Sequence, residues 1–302
     1  MTHHPHPTRH RLRRWATATV ALVASILVGG SLAACGSTEP RSLVQSIDSG
    51  HVILGTKYDQ PGLGLREPDK TMTGLDVDIA TYVVNHIADA RGVDHPRITW
   101  RETPSAQRET LIKNGEVDMI TATYSINAAR ARVVSFGGPY VITHQALLVR
   151  DDDTRISTLK DLDGGLKLCS VTGSTPAQKV KKALPGVQLQ EYDSYSSCVE
   201  ALHQKKVDAM TTDATILYGF ATQYPGEFRV VDMTNADGTP FTTEYYGIGH
   251  SLGDLASQDA INTALKELDS SGEFERLVKK NMGDATANIT PGDPGDLRFL
   301  ND

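Results

Sequence analysis

Positive charge is in short supply. Thirty lysines and arginines stand against 37 aspartates and glutamates, giving a formal net charge of −7 over 302 residues. A nucleic-acid binder needs a basic face, so that class is disfavoured. Cysteine is scarcer still, at three; Cys169 and Cys198 alone cannot close a structural zinc site, and histidines near them are sparse. After residue 30 no apolar run approaches the roughly 20 residues that a membrane span needs, so the body of the chain is not expected to cross a bilayer. There is no His-Glu-x-x-His, and His144, His203 and His250 are isolated from one another in the sequence. Nothing here points to a catalytic residue, a metal or a cofactor. What the chain does have is 39% hydrophobic and 22% charged residues, a balance that supports a packed core and excludes wholesale disorder. Its length suits one large domain or two modest ones.

The first 34 residues read as an address. Arg9, Arg11, Arg13 and Arg14 come with no acid, and Trp15 to Gly30 is short, apolar and uncharged. Removing this segment leaves 26 basic against 37 acidic residues, a balance of −11, which suits a solvated body. A basic start, an apolar core and small residues define a secretory signal. Leu32-Ala-Ala-Cys35 resembles the bacterial lipobox, in which the cysteine becomes the acylated first residue. The alternative is a plain membrane anchor with Cys35 an ordinary thiol. The expectation is a signal peptide over 1–34, lipid on Cys35, a tether over 35–50, and residence on the outer face of a bacterial cytoplasmic membrane. In an oxidising compartment Cys169 and Cys198 are expected to pair, two buried free thiols being the alternative.

The body alternates short β-branched runs with helical periodicity. His51–Thr56, Ile98–Arg101 and Val117–Ala122 read as strands, with helices over Thr81–Ala90 and Gln107–Asn114 between them. A second series repeats the order: strands at Leu166–Val171, Val187–Glu191 and Val207–Thr211, helices at Pro176–Leu184 and Ser196–Gln204. Ala256–Met282 is helical, and the tail beyond Gly283 is irregular. The alternation predicts an α/β protein of two lobes, each a mainly parallel sheet flanked by helices, with a ligand cleft between them.

Several motifs now align in order: Gly74-Leu-Asp-Val-Asp-Ile79, Asn114-Gly-Glu-Val-Asp118, Arg130 to Tyr140, Asp161-Leu-Asp-Gly164, Val171-Thr-Gly-Ser-Thr175, Val207 to Asp213 and Tyr246-Gly-Ile248. Together they resemble the family 3 extracytoplasmic solute-binding proteins, the polar amino-acid receptors of ABC importers, from about Val52 to Met282. Gly55 to Gly64 is most similar to glutamate-binding lipoproteins of actinobacteria. The resemblance implies a two-lobed periplasmic-binding-protein-like (type II) fold. Residues 51–145 and 246–302 would form the first lobe, 146–245 the second, with hinged closure on one amino acid.

It also implies roles. Arg130, six residues before Phe136, matches the arginine that takes the α-carboxylate, and Asp213 the acid that takes the α-ammonium. Thr123 and Ser125 match hydrogen-bonding positions beside that arginine, and Thr172, Ser174 and Thr175 a loop of the second lobe. Lys57 and Arg108 stand where relatives with acidic ligands carry cations. Gln60 and Ser105 replace aromatic walls, making a polar pocket with Ser105 on its lining, and Tyr58 could cover the ligand. Asn127, Ala128 and Gly137-Gly138 depart from the family pattern. Counting Lys57, Arg108 and Arg130 against Asp213 leaves a surplus that favours glutamate, then aspartate. The implied partners are that ligand, an ABC permease and the membrane, with the chain a monomer. Two rivals remain open: a receptor subunit serving a membrane sensor, and a dehydratase-like enzyme of the same fold.

Overall fold

The computed structural model describes residues 39–283 and 289–301; the expected signal peptide over 1–34 and Cys35 lie outside them. Val52 and Leu54 on the strand His51–Thr56 are fully buried and share one face of it, since side chains alternate along a strand. That strand pairs in parallel with Arg97–Glu102 on one side and Met119–Ile120 on the other. The helix Leu75–Arg91 covers it, burying Ile79, Val83, Val84 and Ile87 along one stripe. Gly74 starts that helix at φ 121°, and a Cβ there would meet Leu63 O at 2.1 Å. Only glycine permits that approach.

The full order of this six-stranded sheet is Thr290–Pro291, Ser135–Thr143, Glu244–His250, Met119–Ile120, His51–Thr56, Arg97–Glu102. A five-stranded sheet runs Gln188–Tyr192, Lys167–Val171, Ala209–Asp213, Gln145–Arg150, Phe228–Asp232. Each contains the parallel trio that the alternation predicts. Each is nevertheless mixed, because the remaining strands pair antiparallel. Those strands include the segments that carry the chain between sheets. Thr143 ends one strand and Gln145 begins the next, in the other sheet, with only His144 between them, and the return falls between Asp232 and Glu244. His144 Nε2 lies 3.0 Å from Asp232 Oδ1, joining the two crossings.

Three further differences have plain causes. The stretch to residue 50, expected as tether, contains the helix Leu43–Asp48, whose Leu43 and Ile47 are fully buried; polar neighbours masked a short apolar face. The helical C-terminal run is two helices, Leu255–Ser270 and Glu273–Met282, separated at Gly272 with φ 76°, a left-handed turn that stops the first. Val117–Ala122 shrinks to Met119–Ile120 because the chain turns away at Thr121 to build the cleft.

Cys169 and Cys198 form a disulfide, Cα–Cα 5.7 Å, joining the strand Lys167–Val171 to the helix Tyr195–His203. Both ends lie in the half built on the smaller sheet. A loop of this length contributes about 3–4 kcal/mol in the chain-entropy account. Among the described residues no helix is long and apolar enough to cross a membrane.

Candidate functional site

Loops at the ends of the parallel strands bring the site residues together. Lys57 follows the strand His51–Thr56 directly; it is 5% exposed, and its Nζ donates to Ser105 Oγ at 2.9 Å. Arg108 opens the helix Arg108–Lys113, is 2% exposed, and donates from Nη1 to Ala122 O at 3.0 Å. Its Nε has no hydrogen-bond partner among the described residues. Burial, then the neighbouring Arg108, draws the Lys57 ammonium down to about 7. Burial and Arg130 likewise lower Arg108 to about 10. Desolvation and mutual repulsion both favour an arriving anion.

Arg130 sits on the short helix Ala128–Ala131, whose cap is Asn127 accepting from the Arg130 N–H. Asn127, a departure from the family pattern, thus holds the arginine's backbone. The guanidinium donates from Nη1 to Ser125 O at 2.7 Å and Thr175 Oγ1 at 3.0 Å, and from Nη2 to Gly173 O at 3.0 Å. Nε pairs with Glu109 Oε1 at 3.0 Å. Arg130 therefore reaches from the larger-sheet half to the loop of the smaller. There Ser174 caps the helix Thr175–Ala183, accepting from Ala177 N at 3.2 Å, and Ser174 and Thr175 are buried. Thr172 is exposed, and its N–H serves Tyr192 O; the structure does not bring its side chain in with the others.

Thr123 has φ 46°, a left-handed backbone that costs a β-branched residue on the order of 1–2 kcal/mol. The fully buried Asp76 holds it there, accepting the Thr123 N–H at 2.8 Å and the Tyr140 hydroxyl at 2.6 Å. Thr123 Oγ1 also donates to Gln60 Oε1 at 3.2 Å, leaving Gln60 Nε2 buried without a partner. Burial raises the Asp76 carboxyl to about 6 against those two hydrogen bonds.

Asp213 ends the strand Ala209–Asp213 in the smaller-sheet half and is 2% exposed. Its Oδ2 accepts from the Tyr246 hydroxyl at 2.7 Å, while Oδ1 has no partner among the described residues. Burial, then the nearby Glu244, pushes its carboxyl up to about 8. A cation beside Oδ1 would ionise it.

The halves meet across the mouth of this cleft. A Cβ on Gly173 would lie 2.7 Å from Ala106 Cα, and one on Gly219 would lie 2.3 Å from Pro61 O. Ser196 donates from both N and Oγ to Asp59 Oδ2, each at 3.1 Å.

Sequence reasoning missed Asp76, Glu109, Tyr124, Tyr195 and Tyr246. Asp76 gave one signal, an acid inside an otherwise apolar helical stripe. Tyr195 is 3% exposed, its phenol pushed to about 12 by burial and by Asp213. The buried Asp76 and the part-exposed Glu109 also revise the count of three cations against one acid. Yet Glu109 is engaged by Arg130, and Asp76 by Thr123 and Tyr140. Lys57 and Arg108 hydrogen-bond to a serine and a carbonyl, not to an acid. Among the described residues no cluster of three or more His, Cys, Asp or Glu is arranged to hold a metal.

Comparison with known proteins agrees with this architecture. The glutamate-binding protein of Corynebacterium efficiens is 62% identical over 291 residues, covering 96% of this chain and 99% of that protein. The ABC transporter glutamine-binding protein of Bacillus subtilis (strain 168) is 32% identical, over 88% of this chain and 96% of that protein. An ancestral arginine-binding protein solved bound to glutamine has a TM-score of 0.68 at 28% identity, over 78% of this chain and all but 1% of that one, covering 99%. The cysteine-binding protein of Campylobacter jejuni, at 19% identity and TM-score 0.73 over 82% of this chain and 97% of that one, shares the two-lobed fold. The model of the bacterial extracellular solute-binding proteins, family 3, matches residues 52–284. That span takes in the whole cleft from Lys57 to Tyr246, and the chain belongs to this family.

Proposed function

We propose that the cleft captures an acidic amino acid, glutamate ahead of aspartate, and that the lobes close over it before delivery to an ABC permease. One observation carries the choice of ligand: Lys57 and Arg108 are buried side by side with no acid of their own. Arg130 and the buried hydroxyls around it suit the α-carboxylate, and the unpartnered Oδ1 of Asp213 suits the α-ammonium. That leaves a second carboxylate for Lys57 and Arg108. An amide in its place would leave a desolvated cation unpaired, at a cost on the order of 3–5 kcal/mol. The 62%-identical relative named for glutamate supports the same choice.

The hinge in this reading is the pair of crossings, with residues 51–145 and 246–302 moving against 146–245. The contacts of Gly173 with Ala106 and of Ser196 with Asp59 then belong to the closed form. Calorimetry with glutamate, aspartate, glutamine and asparagine at pH 7 tests the ligand. Glutamate is expected to bind tightest, at least tenfold ahead of glutamine; glutamine ahead of glutamate overturns the reading.

The chain works as a monomer, tethered outside the cytoplasmic membrane by lipid on Cys35. Support comes from the order of basic residues, apolar run and Leu32-Ala-Ala-Cys35. Cys35→Ser is expected to abolish incorporation of labelled fatty acid and to shift the protein from membranes to the medium. Undiminished labelling in that variant removes the assignment.

A further inference from the structure

The buried Arg108 raises a physical question: what holds a guanidinium in place where no carboxylate does? The acid next to it in sequence, Glu109, pairs with Arg130 instead. Arg108 makes one hydrogen bond, to Ala122 O, and its Nε has no partner among the described residues. Its neighbour Arg130 repels it. What lies against it is an aromatic ring: the Arg108 guanidinium carbon stands 4.1 Å from the centroid of Tyr124. The Arg130 guanidinium carbon stands 5.0 Å from the same centroid.

Tyr124 is fully buried and is fixed from other sides. Phe136 meets it edge-on, centroids 4.9 Å apart at 69°. Gly249, on the strand Glu244–His250, makes room for it, since a Cβ there would fall 2.6 Å from Tyr124 Cε1. The ring is thus a rigid floor on which two like-charged groups rest.

We propose that Tyr124 is a specificity-determining positioning residue, whose ring steadies Arg108 while leaving that guanidinium's charge and N–H donors to the second carboxylate of the solute. The chemistry differs from that of a salt bridge in one decisive way. A carboxylate partner would neutralise Arg108 and occupy the in-plane N–H groups that a solute needs. A ring attracts the cation through the negative face of its quadrupole, neutralising nothing and using no donor. Asp or Glu in that role would make Arg108 a structural residue; Tyr124 keeps it a binding one. The same ring steadies Arg130 beside it, so two cations persist at close quarters in a site poor in water. This inference rests on the acidic-ligand reading, and it names the group that makes that preference possible.

The test is a ring series read by calorimetry as the ratio of glutamate to glutamine affinity at pH 7. Tyr124→Leu removes the π face and is expected to lower the ratio ten- to thirtyfold, in line with a desolvated cation–π contact. Tyr124→Phe keeps the face and is expected to hold the ratio within about threefold. Phenylalanine bearing three ring fluorines at position 124 preserves the shape but depletes the face. It should lower the ratio as leucine does, and it decides the matter should the leucine variant fail to fold. A cavity or packing effect would weaken both ligands alike and leave the ratio unmoved. If the wild-type protein prefers glutamate and neither leucine nor the fluorinated ring changes that preference, the role given to Tyr124 is wrong while the ligand reading stands. A wild-type protein without preference for glutamate removes the ligand reading, and this inference falls with it.

Discussion

Arg130→Ala is expected to raise the dissociation constant of every amino-acid ligand by about 1,000-fold or more, at little cost to folding. Two effects add. A fork of charge-assisted hydrogen bonds to an α-carboxylate contributes roughly 1.5–3 kcal/mol per bond, so a bidentate grip alone approaches the ~4 kcal/mol that a thousandfold represents. Arg130 also reaches Gly173 O and Thr175 Oγ1 across the cleft, so its loss weakens the closed form with the ligand in or out. These are the contacts that the solute's carboxylate would share or displace. The fold should tolerate the change because Glu109, the acid left behind, keeps 28% of its side chain exposed and can be solvated. Arg130→Lys should recover little, since a point charge cannot serve Ser125 O, Thr175 Oγ1, Gly173 O and Glu109 at once. Calorimetry gives the affinities and thermal melting the integrity of the fold. A loss of less than tenfold in a folded Arg130→Ala protein would mean that the carboxylate is held elsewhere.

Much of this was legible in the chain, and the illegible part has a common cause. A strand such as His51–Thr56 announces itself by a β-branched run bounded by turns. The strand Glu244–His250 does not, because Gly247 and Gly249 interrupt it to leave room for Ile126 and Tyr124. The family resemblance led to Lys57, Arg108, Arg130 and Asp213, all of them buried at one cleft. It could not reveal what engages them. Glu109 faces Arg130 only because two short helices, Arg108–Lys113 and Ala128–Ala131, come side by side. Asp76 meets Thr123 only because the chain takes a left-handed turn there. Tyr246 meets Asp213 because the strand returning to the larger sheet passes the end of a strand in the smaller. Each partner is set by tertiary contact between segments distant in sequence, to which periodicity is blind. The surplus of positive charge counted from sequence was accordingly too large. What survives is a narrower fact, that two particular cations lack an acid.

Lys57 provides the sharper test of that fact, because its charge is conditional. Lys57→Met is expected to weaken glutamate about 100-fold and to leave glutamine no weaker, since an unpaired buried ammonium is a liability when the ligand brings no second carboxylate. The wild-type protein should show the same dependence through pH. Burial and Arg108, with Arg130 adding to the repulsion, bring the ammonium down to about 7, against opposing pulls from Asp59 and Glu102. A ligand carboxylate in contact restores the charged form and raises that value, so glutamate binding takes up a proton. Linkage then fixes the sign. The gain from Lys57 is full below pH 7 and is lost as pH rises from 7 toward the value in the complex, by at most about tenfold per pH unit. Asp213, raised to about 8, titrates across the same range. In the proposed pose it faces the α-ammonium that glutamate and glutamine share, so its effect would cancel in their ratio. Calorimetry from pH 6 to 9 should therefore show the glutamate-to-glutamine ratio falling in the wild type and flat in Lys57→Met. A flat ratio in both, with glutamate still preferred, would place the second carboxylate on Arg108 alone and remove Lys57 from the specificity of the site.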